Sequence, residues 1–199
     1  MFSSIGETIG NVFSFSLPMV VISVVVAITL RVADIIKNKK QFCLYKELIS
    51  LSFIIYILCL FQVVTFQDNS NISSNNLIPF REMFRYDFGS RLFLKNVLGN
   101  IIMFLPYGFF TSYFLSEKKL MPIFILTVVT SLTIESTQLM IGRVFDIDDI
   151  LLNIIGGVLG HYLYIIILKI GNMCPKVFQA EWFLNLVSII LLVGLITLL

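Results

Sequence analysis

Six apolar runs, each close to the length that crosses a bilayer, leave this 199-residue chain few folds to choose from. A spanning helix needs about 17 to 25 predominantly apolar residues. Candidate spans lie at approximately Phe15–Ile36, Leu48–Phe66, Asn96–Leu115, Leu120–Ile141, Ile150–Ile170 and Trp182–Leu199. Backbone in hydrocarbon must satisfy its own hydrogen bonds, so runs of this length read as helices. The composition agrees: 58% of residues are hydrophobic, 13% are charged and the mean hydropathy is +0.96. Soluble domains lie nearer to half apolar and a quarter charged. The chain is therefore expected to be an all-α integral membrane protein, a bundle of about six transmembrane helices. The longest polar stretch, Gln67–Lys95, is too short to hold a soluble core alone.

The first run ends in Arg31 and Asp34, which reach toward an interface. Only Glu7 is charged ahead of it, so it lacks the basic start of a signal peptide and is read as a retained span. Asn96, Asn100 and Pro106 interrupt the third run, where proline frees a backbone carbonyl. Cys43, Cys59 and Cys174 have neither metal-ligand spacing nor a partner pattern, and read as packing residues. A net charge of +2, with the basic residues between apolar runs, excludes a nucleic-acid binder and matches loop anchors.

Those anchors predict orientation. With the N-terminus outside, the inner loops hold nine of the fourteen basic residues: Arg31, Lys37, Lys39, Lys40, Lys46, Lys118, Lys119, Lys169 and Lys176. The outer loops hold Arg81, Arg85, Arg91, Lys95 and Arg143. Basic residues concentrate on the cytoplasmic side, so both termini are expected outside a plasma membrane.

Polar residues inside the spans point to the site. Glu135 and Gln138 lie about 9 and 5 Å inside the outer end of the fourth span, at about 1.5 Å per residue. A carboxylate there costs several kcal/mol unless paired, which makes it a candidate functional group. Asn96 and Asn100 stand one turn apart at the start of the third span, and Asp149 and Asn153 at the start of the fifth, preceded by Asp146 and Asp148. Three helices thus present polar stripes at one depth, and facing one another they satisfy one another. The expected site is an outward-opening polar pocket of Asn96, Asn100, Glu135, Gln138, Arg143, Asp146, Asp149 and Asn153, with Arg143 as counter-ion to Glu135. Bland roles compete: Asp148 or Asp149 as caps of the fifth helix, Asn96 as a cap of the third, Arg143 as a head-group anchor. Gly156 and Gly160 form a GxxxG face for close helix packing. His161 stands roughly 12 Å along the helix from Asn153, outside the cluster. Arg81, Arg85, Arg91 and Lys95 are either lipid-phosphate ligands or simply solvated.

The chemistry is narrowed but not fixed. Nucleophilic hydrolysis needs a serine or cysteine beside a base, and the single His161 is at the wrong depth. Carboxylates and amides suit a hard cation, yet no metal motif supports one, so no metal or cofactor is expected. The same groups hydrogen-bond sugars or cationic groups while arginine holds phosphate, as lipid-linked glycans would require.

Four blocks then resemble the VanZ-like family of bacterial membrane proteins: Asn76–Phe80, Asn96–Phe109, Glu135–Gln138, and Gly142-Arg143 running through Asp146–Ile150 to Asn153 and Gly156-Gly157. The resemblance covers roughly Tyr45–Ile170. It divides the chain into an N-terminal helix and basic loop (1–44), a VanZ-like core (45–170, its four spans from Leu48 to Ile170) and a C-terminal helix (171–199). It implies an envelope role and low-level resistance to lipoglycopeptides such as teicoplanin. Membrane lipids are the expected partners, with a lipid-linked wall precursor or the glycopeptide itself as ligand. Two rival readings stay open: a membrane-embedded enzyme with Glu135 as general acid or base, and a small transporter.

Overall fold

The computed structural model describes residues 21–39, 41–66, 75–173 and 180–198. The expected beginning of the first span at Phe15, together with Cys174 and Lys176, lies outside them. Six helices account for most of the described chain: α1 (21–38), α2 (Leu44–Phe66), α3 (Arg91–Leu115), α4 (Leu120–Met140), α5 (Ile147–Met173) and α6 (Glu181–Leu198). There is no strand among the described residues, only one isolated bridge between Asn76 and Asp146. Four helices, α2 to α5, are long and apolar enough to cross a membrane, and α6 is a shorter apolar helix. At about 1.5 Å per residue, the 25 residues of α3 reach roughly 37 Å, more than the ~30 Å of a hydrocarbon core.

By contact density the chain forms two compact units, Asp68–Met173, and Met1–Gln67 with Cys174–Leu199. In the flanking unit α2 packs against α6. Arg31 on α1 makes a two-pronged pair with Glu47, at 2.7 and 2.9 Å, and a second with Asp34 at 3.0 Å. The interfacial cation expected from the sequence is thus tied to two carboxylates.

In the central unit α5 packs against both α3 and α4, and local sequence sets where each helix stops. Ser90 starts α3 by accepting the Phe93 N–H at 3.1 Å, so the helix begins five residues before Asn96. Asn96 is therefore not its cap. It lies in a π-helical turn over Leu94–Leu98, where one extra residue per turn shifts the polar face. Pro106 sits within α3, and its ring leaves the Ile102 carbonyl without a helical donor. Ser116 ends the helix in a left-handed conformation (φ 51°). Pro122 falls in the first turn of α4, where a missing N–H costs nothing. The end of α4 is a Schellman motif: Gly142 (φ 82°) donates to Leu139 and Arg143 N–H to Gln138, at 3.1 and 2.9 Å. That turn reverses the chain into α5 within six residues.

Glycine lets α3 and α5 touch. A Cβ on Gly156 would strike the Ile101 carbonyl, one on Gly160 the Leu105 carbonyl, and one on Gly108 the Gly157 carbonyl. Phe104 and Ile123 fill the remaining core and are fully buried. The outward faces carry exposed Ile102, Met121, Val129 and Ile166, the distribution expected of helices solvated by acyl chains.

Candidate functional site

The polar residues of α3, α4 and α5 meet at the end of the unit where α3 starts, α4 finishes and α5 starts. Glu135, only 1% exposed, points from α4 toward the turn before α5 and accepts the Asp146 N–H at 3.0 Å. Asp149, two residues into α5, accepts the Asn100 side-chain amide from α3 at 2.5 Å. The same amide donates to the Asn96 carbonyl at 3.1 Å, which fixes its orientation. Arg143 is half-buried on the α4–α5 turn. Burial lowers its guanidinium pKa, and the charges of Glu135 and Asp149 pull it back up. One cation thus faces two carboxylates at the membrane end of the unit. Gln138 is buried one turn beyond Glu135, and its carbonyl receives the Arg143 N–H.

Below this layer runs a second. Asn153, 2% exposed, donates to the Ser131 hydroxyl at 3.0 Å, and its side-chain oxygen has no hydrogen-bond partner. Ser131 precedes Glu135 by four residues and Asn153 follows Asp149 by four, so both layers use the same two helix faces.

Asp146 and Asp148 are placed differently from their neighbours. Asp146 caps α5: its Oδ1 accepts the Asp148 N–H at 2.9 Å and the Asn76 side-chain amide at 2.8 Å. Burial raises its pKa above the usual aspartate range, opposed by those two hydrogen bonds. Asp148, 1% exposed, accepts three backbone N–H groups from the preceding loop: Phe80 at 2.5 Å, Glu82 at 2.7 Å and Met83 at 3.1 Å. Asn76 adds two main-chain bonds, to Phe145 and from Ile147. The first and last sequence blocks are therefore one unit, the segment around Asn76–Met83 docked on the α5 N-terminus. Residue types did not show this, because the donors on Phe80, Glu82 and Met83 are backbone groups.

A further pair escaped the sequence reading. His161 Nδ1 lies 2.9 Å from Ser112 Oγ across the α3–α5 contact, and both residues are buried. Sequence reasoning compared His161 only with the outer cluster, although Ser112 stands four residues from Gly108 on the glycine-contact face. The Ser112 hydroxyl also donates to the Gly108 carbonyl at 2.7 Å. When the hydroxyl gives its one proton to that carbonyl, Oγ accepts from an Nδ1–H tautomer of the imidazole, and the pair ties α3 to α5. Among the described residues, no three His, Cys, Asp or Glu side chains group to hold a metal ion.

A family model described as VanZ/LLP1 matches residues 53–168. Protein VanZ from Enterococcus faecium is 31% identical over 120 residues, which cover 55% of this chain and 69% of that protein. No solved structure matches the chain.

Proposed function

The chain belongs to the VanZ/LLP1 family, and from that premise we propose that it works in the bacterial cell envelope and lowers susceptibility to lipoglycopeptides such as teicoplanin. Its working part is the polar cluster of Glu135, Arg143, Asp149, Asn100 and Asn153, opening toward the outer leaflet. The observation that carries the reading is the meeting of Glu135, Asp149 and Arg143 where α3 and α5 begin. Two carboxylates with one cation, supported by an amide donor and an unpartnered amide oxygen on Asn153, form a hydrogen-bonding niche. Such groups bind hydroxyl-rich or cationic ligands, and arginine adds affinity for phosphate. A lipid-linked wall precursor presents sugar hydroxyls and phosphate at head-group depth, which makes it the ligand class that fits best.

A second reading uses the same carboxylates as chemistry. In it Glu135 acts as general acid or base on a lipid-linked substrate. Two substitutions separate the readings. Expression of the wild-type chain in a strain lacking it is expected to raise the teicoplanin concentration tolerated. Glu135→Gln keeps the shape and one hydrogen-bond acceptor, so a recognition site retains most of that protection, while Glu135→Ala returns the strain to full susceptibility. An acid–base residue loses its function in both variants, and the lipid-linked precursor pool then changes with it. If wild-type expression leaves teicoplanin tolerance unchanged, the resistance role is wrong.

A further inference from the structure

The segment between the Asn76 bridge and the first turns of α3 carries an apolar and basic surface that the buried cluster does not use. Phe80, Phe84 and Phe88 recur every four residues, with Phe84 84% and Phe88 92% exposed. Leu77, Ile78, Leu92 and Leu94 are exposed alongside them. These rings do not face outward because the segment is loose. Asp148 holds the Phe80, Glu82 and Met83 amides, and Ser90 fixes the start of α3. A backbone so fastened presents its phenyl rings by construction, and in water each would forfeit its burial energy.

Cations interleave with the rings. Arg81, Arg91 and Lys95 are exposed, with no carboxylate partner among the described residues, whereas Arg85 is held by Glu82 at 3.0 Å. Arg91 and Lys95 stand one turn apart in the opening turns of α3, where the helix dipole disfavours positive charge. An anionic surface at that level would favour them. Leu92 and Leu94 continue the apolar surface onto the acyl-facing side of α3 at Ile102. That continuity points to lipid rather than to a protein partner. Aromatic rings at the boundary with basic residues at phosphate level are the makeup of an interfacial anchor.

We propose that residues 77–95 form an interfacial element that binds anionic phospholipid, with Phe84 and Phe88 entering the acyl boundary and Arg81, Arg91 and Lys95 holding headgroup phosphates. This requires that α3 span the bilayer but not that it point in a given direction, and it is independent of the role given to Glu135. Depth is read by tryptophan fluorescence on the full chain. In a Trp182→Phe background, Phe84→Trp and Phe88→Trp are placed singly and reconstituted into phosphatidylcholine vesicles containing brominated lipid. Blue-shifted emission, quenched more by bromines near the headgroup than by those near the chain ends, is expected. Emission like that of tryptophan in water, unquenched by either lipid, would overturn the insertion.

Headgroup binding is read by native mass spectrometry with phosphatidylglycerol and phosphatidylcholine at equal mole fraction. Each cation near an anionic surface contributes about fivefold. The combined Arg81→Gln, Arg91→Gln and Lys95→Gln variant, which leaves the Asp148 bonds intact, should lose on the order of 100-fold in phosphatidylglycerol preference. A preference unchanged from wild type overturns the assignment. So does displacement of phosphatidylglycerol by an equal amount of undecaprenyl pyrophosphate, which would make the site one for isoprenoid pyrophosphate. Neither readout involves teicoplanin tolerance, so failure here and failure of the envelope role are separately visible.

Discussion

A carboxylate in the first turn of a helix ordinarily serves its own helix, but Asp148 serves a segment more than sixty residues away. Cutting the side chain to Ala leaves the three backbone N–H donors of Phe80, Glu82 and Met83 without this acceptor. Hydrogen bonds to a charged group contribute about 1.5–3 kcal/mol each and are not additive. Asp148→Ala should therefore cost roughly 3–5 kcal/mol, read as a lowered unfolding midpoint in detergent, with Asp148→Asn between it and wild type. An unchanged midpoint for Ala would refute the docking role. Asp146 makes stability depend on pH. Its folded pKa is raised, so the stability it contributes is fully present below the ordinary aspartate value and is lost as pH rises through the raised one. Asp146→Asn keeps an oxygen for the Asp148 N–H and should flatten that part of the stability–pH profile. Asp146→Ala should lose the cap as well, about 1 kcal/mol. The sequence showed that these aspartates cluster before α5 but not how they divide their tasks. That division depends on main-chain donors in the Phe80–Met83 segment, which no residue-type pattern reveals.

Between helices the decisive groups are the ones with no side chain. Gly160→Ala drives a methyl into the Leu105 carbonyl, a backbone atom that cannot rotate aside. Overpacking of this kind costs about 1–3 kcal/mol, so the variant should unfold at lower temperature. Gly171 also lies in α5 but has nothing within 4 Å of its added Cβ. Gly171→Ala should be neutral or stabilising by up to about 1 kcal/mol, and equal effects at the two positions would contradict the packing. The spacing of Gly156 and Gly160 made the contact face of α5 readable in advance. Gly108, its counterpart on α3, has no glycine four residues away and gave no such signal. The start of α3 was misplaced for a related reason. Apolar length alone begins at Asn96, whereas Ser90 and a π-turn carry the helix through the basic residues Arg91 and Lys95.

At the scale of the molecule, three crossings fix which groups can share a side of the membrane. The Asn76–Asp146 bridge brings the loop before α3 and the turn after α4 to one end of the central unit, and α3 and α4 place Ser116–Lys119 at the other. If all six apolar runs cross, the nine basic residues of the inner loops against five of the outer ones predict that the polar cluster faces outward. Both ends offer an exposed position for labelling, Asp87 and Lys118. In a chain whose native cysteines are replaced by serine, Asp87→Cys should react with an impermeant maleimide on intact cells, and Lys118→Cys only after permeabilisation. The reverse pattern would put Glu135 and Arg143 beneath the inner leaflet, out of reach of an extracellular antibiotic, and would end the lipoglycopeptide reading while leaving the lipid anchor of residues 77–95 standing. Labelling of both positions from the same side would be more serious. A helix of 25 residues and its 21-residue neighbour would then not cross, and the buried carboxylates would no longer need the membrane to explain why they are held together.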